Sequence, residues 1–397
     1  MDEHDGSPGR GGRRRAATPK RTVVRVIVAS LLGLGLVTGV GIVVAYERFN
    51  GNLTHVDVSD QLGDDRPDQA IEGDLNVLVM GDDTREGSNG IDSESGGGSD
   101  TTILFHLSAD RKFAYGISIP RDTAVMRPEC YEEDETPIAA SDGYVKWNDA
   151  FLVGGPACTI RQVEQLTGVF VDKYVVVDFN GFKGMVDALD GVEVCIPEDI
   201  VDTEHGITLK AGTREIFGDE ALSYVRVRNV GDGTDLQRIK RQQTFISSMI
   251  SEAVGAEMLA RPDQLLRFLN AATKSLTTDF DNVAQLAKLG QSFNGIGLDN
   301  IAFVTTPWTY DTDKVSGGVE WLPEVEDLWQ LVIDDQPLTE EFLDDGISAA
   351  TNPDGTTSES ADPSGGATGS SDGASDGATG GDGAGLDEEG RADASLC

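Results

Sequence analysis

Histidine and cysteine are scarce in this chain, four of each among 397 residues, and no Cys/His spacing matches a zinc site. No Ser-His-Asp, Cys-His or paired-glutamate arrangement stands out. The stretch Gly96-Gly97-Gly98 lacks the following Lys-Ser/Thr of a phosphate-cradling Walker loop. Basic residues are few as well: 31 Lys and Arg against 69 Asp and Glu leave a net charge of -38. A chain of that sign repels nucleic-acid phosphates, which argues against a nucleic-acid partner. A salt-rich habitat accounts for the acidity equally well.

What the chain does have is one long hydrophobic run. From Val26 to Tyr46 no charged residue occurs, and about 20 apolar residues span roughly 30 Å of hydrocarbon as a helix. Arg10, Arg13, Arg14, Arg15, Lys20, Arg21 and Arg25 precede it, while Glu47 and Asp57 follow. Positive charge stays on the cytoplasmic side, so the expected topology is a single-pass membrane protein with its N-terminus inside and the rest outside. A cleaved signal peptide is the rival reading, disfavoured by the length of the run and the lack of a small-residue cleavage pattern. Outside the membrane cysteines oxidise readily, and Cys130 and Cys158, both in loop-like sequence, could pair. Cys195, in the strand-like Val192-Glu193-Val194-Cys195-Ile196, reads as a buried free thiol. Cys397, the last residue, reads as non-structural.

Composition divides the chain into a basic stub (1–25), the membrane helix (26–46), a polar connector (47–73), a globular stretch (74–342) and a tail (351–397). The tail is rich in Gly, Ser and Asp and too polar to bury a core, so it is expected to be disordered. Within the globular stretch, Asn76-Val77-Leu78-Val79-Met80 reads as a buried strand. Thr102 and Phe113 open two strands joined by Ala109-Asp110-Arg111-Lys112, and Tyr174 and Ile301 begin two more. Helical patterns occupy 182–189, 236–253, 264–272 and 283–289. The alternation predicts an α/β fold, a mixed central β-sheet flanked by helices.

Three constellations could carry chemistry. Asp83, in Gly81-Asp82-Asp83-Thr84-Arg85, and Asp100, in Ser99-Asp100-Thr101, fall beside strand ends where two carboxylates could share one Mg²⁺; ordinary turn and cap chemistry is the plainer account. Arg121 and Asp122 follow a strand ended by Pro120, with Lys146 downstream, and a surface Arg121–Asp122 pair explains them as simply. Arg226, Arg228, Arg238, Lys240 and Arg241 cluster in a chain poor in cations. Arg226 and Arg228 share a face if that segment is extended, and Arg238 and Gln242 share a helix face. Paired guanidinium forks suit a diphosphate. Phe245, Ile246, Met249, Ile250 and Val254 continue the helix as core, or as the wall of a lipid pocket.

These segments, taken in order, resemble the LytR-CpsA-Psr family. The resemblance rests on Asn76 through Arg85, Ser99-Asp100-Thr101, Ile119-Pro120-Arg121-Asp122-Thr123 and Lys146-Trp147-Asn148-Asp149-Ala150. It continues through Val177-Asp178-Phe179-Asn180-Gly181-Phe182, Tyr224-Val225-Arg226-Val227-Arg228 and Arg238-Ile239-Lys240-Arg241-Gln242-Gln243. It implies Mg²⁺-dependent transfer of a glycopolymer from a polyisoprenyl-pyrophosphate carrier, a membrane lipid, to a peptidoglycan hydroxyl. Polyisoprenyl phosphate is released. Asp83 and Asp100 would hold the metal, and Arg121 would act in catalysis with Asp122 as candidate base. Arg85, Lys146, Arg226, Arg228, Arg238 and Gln242 would bind the pyrophosphate. Gly98 stands where family members often carry Arg. A non-catalytic binder of carrier lipid or wall polymer, and a pyrophosphate hydrolase, are the alternatives.

Overall fold

The computed structural model describes residues 19–83, 98–203, 206–227, 235–311, 313–356, 386, 391 and 396–397. The chain divides into two units, 1–51 and 52–397. Helix α1 (Pro19–Asn52) is longer than its apolar run. Its segment Val23–Asn52 is long and apolar enough to cross a membrane, and the side chains of residues 23–44 are exposed throughout.

The second unit is built on a mixed eight-stranded sheet. Its strands are β1 (Thr54–His55), β2 (Leu75–Asp82), β3 (Ser99–Leu107), β4 (Ala114–Ile119), β5 (Lys173–Asp178), β8 (Leu276–Thr278), β9 (Ile301–Thr305) and β10 (Ile347–Ser348); β6 (Val192–Ile196) and β7 (Gly212–Ile216) form a separate antiparallel ribbon. The sheet order is β1-β8-β5-β2-β3-β4-β9-β10. β2 runs parallel to β5 and antiparallel to β3, while β4 runs parallel to β9. Alternation along the central strands feeds two cores. Leu78, Met80, Leu104 and Ile117 pack under helices α2 (Asp149–Thr167) and α8 (Val325–Ile333). Val77, Ile103, Phe105 and Phe303 face α5 (Asp235–Val254) and α7 (Val283–Ile296). A third core lies among the ribbon, α3 (Phe179–Ala188), α4 (Gly218–Arg226) and α6 (Pro262–Ser275). Gly181 of α3 lies so close to Ser275 of α6 that a Cβ there would stand 2.2 Å from the serine Cβ, which fixes the spacing of these helices.

The structure corrects several expectations. The stretch 47–73 is not a mere connector, because β1 pairs with β8 and residues 59–62 form a helical turn. The fold also runs past 342, since β10 pairs with β9; two-residue edge strands leave no periodic signature in sequence. Cys195 is not a free thiol and Cys397 is not idle: they form a disulfide, alongside Cys130–Cys158. Most of the tail from 357 onward lies outside the described residues, but Leu396, Cys397 and Arg391 are anchored. Leu396 is buried in a core and Arg391 Nη2 donates to the Pro353 carbonyl at 2.8 Å. A covalent bond needs one residue, not a hydrophobic pattern. Finally, Tyr224 to Arg226 are helical, so the shared face of an extended strand does not arise there.

Candidate functional site

Four strand ends meet at one end of the sheet. Asp82 is in register with Ser99 across β2–β3 and with Asp178 across β2–β5. A bulge at Gly81/Asp82 shifts the register there, and the Asp83 N–H donates to the Gly98 carbonyl at 3.0 Å. This seats Asp83 and Asp100 at adjoining corners. On the other side Ile119 pairs with Thr102, so Arg121, two residues on and past Pro120, leaves the sheet at the level of Asp100.

The side chains converge accordingly. Arg121 Nη1 donates to Asp100 Oδ1 at 2.6 Å, and Arg238 Nη1 lies 3.7 Å from Asp100 Oδ2. Arg226 Nη2 lies 3.8 Å from Asp83 Oδ1, and its guanidinium sits 4.6 Å over the Phe179 ring. Asp122 joins from the flank, 3.5 Å from Arg121 Nε, and accepts from Lys146 Nζ at 2.7 Å. Arg121, Asp100, Asp122 and Arg226 are each partly exposed, whereas the Arg238 side chain is 2% exposed. Arg85 and Arg228 lie outside the described residues.

Below these groups opens an apolar cleft of about 970 Å³, mouth included. Val79, Ile103, Phe105 and Val177 of the sheet form one wall, Phe182 and Met185 of α3 another, and Phe245, Ile246 and Met249 of α5 a third. Asp100, Arg226, Arg238 and Gln242 line it too, so its polar groups are concentrated where the carboxylates and arginines meet. Of the five apolar residues that continue α5, Phe245, Ile246 and Met249 therefore wall the cleft, while Ile250 packs on the adjoining core.

Helical periodicity sorts the cation cluster. Arg238, Gln242, Phe245 and Met249 are spaced by four, three and four residues and share the cleft face. Lys240 and Arg241 point elsewhere. Lys240 Nζ pairs with Asp345 Oδ2 at 2.8 Å, its pKa lowered by burial, and Arg241 Nη2 donates to the Val227 carbonyl. Gln242 Nε2 donates to the Val225 carbonyl at 3.1 Å, so it holds the end of α4 that carries Arg226. Gln243 Nε2 lies 3.0 Å from Ser118 Oγ, the Val304 carbonyl and Thr305 Oγ1, which pins α5 to β4 and β9. The sequence reading missed Phe179 and Asp178. Asp178 caps α3 by accepting from the Gly181 N–H at 2.6 Å, placing Phe179 beneath Arg226. The signal is legible as Asp178-Phe179-Asn180-Gly181 just after an apolar strand.

Among the described residues no three His, Cys, Asp or Glu side chains gather as a metal cage. Mg²⁺ commonly takes only one or two protein carboxylates, filling its shell with water and phosphate oxygens. Asp83 and Asp100, hard oxygen donors beside a cationic site, fit that donor set.

Comparison with known proteins agrees with this architecture. Residues 45–331 match the LytR_cpsA_psr family model. The chain is 32% identical over 318 residues to the probable cell wall biosynthesis protein LcpB of Corynebacterium glutamicum, covering 78% of this chain and 72% of that one. It is 28% identical over 320 residues to the polyisoprenyl-teichoic acid–peptidoglycan teichoic acid transferase TagT of Bacillus subtilis, covering 78% and 89%. Among solved structures, the LytR-Csp2A-Psr enzyme from Actinomyces oris superposes with a TM-score of 0.55 at 19% identity, covering 70% of this chain and 95% of that one. TagT bound to LI-WTA superposes at 0.52 and 22%, covering 72% and 100%. With the family model spanning most of its length, the chain belongs to the LytR_cpsA_psr family.

Proposed function

We propose that this protein transfers a glycopolymer from a polyisoprenyl-pyrophosphate carrier to a hydroxyl of peptidoglycan, releasing polyisoprenyl phosphate. The observation that carries this reading is the convergence of Arg121 and Arg238 on Asp100 at the mouth of an apolar cleft that also holds Arg226. A hydrocarbon tail fits the cleft, and a diphosphate fits its cationic rim. The ectodomain faces outward, as the basic stub before α1 and two disulfides both favour.

The acceptor oxygen attacks the phosphorus that bears the sugar. A new P–O bond forms as the bond from that phosphorus to the bridging oxygen breaks. The carrier phosphate departs with the electron pair, and the hydroxyl proton passes to the Asp122 carboxylate. Arg121, Arg226 and Arg238 neutralise charge growing on the phosphate oxygens. Lys146 and Arg121 hold the Asp122 carboxylate in place. Mg²⁺, held by Asp83 and Asp100, would supply further charge neutralisation when bound.

The test is the full chain in detergent, given an isoprenyl-pyrophosphate-linked saccharide with and without glycan acceptor, and with Mg²⁺ or EDTA. Acceptor-dependent release of isoprenyl phosphate with a labelled, saccharide-bearing acceptor is expected, and EDTA should suppress it. Release to water alone would identify a hydrolase. Binding without turnover would identify a carrier-lipid binder.

A further inference from the structure

Resting on that reading, we infer that the hairpin of Trp308–Tyr310 and Val319–Trp321, together with Tyr144, is the docking surface for the acceptor glycan. Tyr310 and Tyr144 are 59% and 48% exposed, so both rings are open to a partner. Both are tied to the Asp122–Lys146 pair. On one arm, Tyr310 is in register with Val319, whose N–H donates to the Asp122 carbonyl at 3.0 Å. On the other, Tyr144 stands two residues before Lys146, whose Nζ reaches the Asp122 carboxylate. Lys314, in the hairpin loop, lies 5.1 Å over the Tyr144 ring and seats the loop against it.

Side-chain hydrogen bonds hold the described part of the loop. The Asp311 carboxylate accepts from the N–H groups of Asp313, Lys314 and Val315 at 2.5–2.8 Å. Trp308 packs edge-on against Tyr310 at 5.1 Å. Aromatic rings displayed on a hairpin beside reactive groups suit a binding role. Sugar rings present flat C–H faces that rest on aromatic rings, while their hydroxyls stay wet; the tyrosine ring offers the apolar face for that contact.

Direction selects the acceptor over the donor polymer. The cleft takes the lipid, so the departing phosphate lies on the cleft side of Arg121. In-line attack brings the acceptor from the opposite side. Asp122 and Lys146 are absent from the cleft wall and adjoin the hairpin.

The experiment compares the wild-type full chain in detergent with Tyr144→Ala/Tyr310→Ala and with Tyr144→Phe/Tyr310→Phe. Binding is measured by co-sedimentation with peptidoglycan sacculi stripped of wall polymer. Acceptor KM, donor KM and acceptor-free hydrolysis are measured in parallel, with Tm confirming the fold. The alanine pair should weaken sacculus binding and raise acceptor KM about tenfold, equivalent to about 1.4 kcal/mol. Donor KM and hydrolysis should not move, and the phenylalanine pair should behave as wild type. Unchanged sacculus binding in the alanine pair overturns the inference, as does a phenylalanine pair as weak as the alanine one. A wild type that binds sacculi through these tyrosines but transfers nothing upholds the surface while refuting the transferase.

Discussion

Replacing Arg121 by alanine separates catalysis from folding at this site. The guanidinium is partly exposed and donates to Asp100 at 2.6 Å, and Asp100 keeps a second cation, Arg238, at 3.7 Å. A partly exposed pair whose anion retains a partner contributes at most about 1 kcal/mol to stability. In a domain of this size that lowers Tm by no more than about 4 °C. In the proposed reaction the same guanidinium faces oxygens that gain charge only as the pyrophosphate breaks. Loss of one such donor typically costs about 10²–10³ in kcat, or about 2.7–4 kcal/mol. Arg121→Lys keeps the charge without the fork and should recover roughly a tenth of wild-type turnover or less. The assay is isoprenyl phosphate release at saturating donor, paired with thermal melts. Wild-type turnover in Arg121→Ala refutes the reasoning. So does a collapse in Tm that accounts for the lost activity.

Three further outcomes follow from the geometry. Met249→Trp narrows the apolar cleft and should raise KM severalfold for long isoprenyl carriers while sparing short ones, as read by a chain-length series; equal effects on both would place the tail elsewhere. Cys397→Ser opens a loop of 202 residues, for which chain entropy sets an upper limit of about 5 kcal/mol. A marked drop in Tm is expected, matched by adding reductant to wild type after correction for Cys130–Cys158, and an unchanged melt would show that the bridge is dispensable. Burial pushes the Asp172 carboxyl up to about 6, against a backbone hydrogen bond from Asn76 that pulls it down. The folded state therefore binds this proton more tightly than the unfolded state does. The group's contribution is greatest near pH 4 and is lost as pH rises through 6. Between pH 7 and 4 the wild-type Tm should climb relative to Asp172→Asn, and a constant difference would exclude the linkage.

Local chemistry wrote much of this protein legibly. The apolar run before Tyr46, the strand at 75–82, the β3–β4 hairpin and α5 each announce themselves by an uninterrupted or periodic pattern, because burial acts on neighbouring residues of one element. Arg238 and Gln242 were placed on one face by helical spacing alone, and Arg121 by the proline that ends its strand. Tertiary structure decided the rest. It turned Arg226 from a strand residue into a helix end stacked on Phe179, sent Lys240 to Asp345, joined Cys195 to the last residue, and drew the connector into the sheet. Each of those outcomes depends on groups distant in sequence meeting in space, and no pattern within a single segment records which partner lies across the fold.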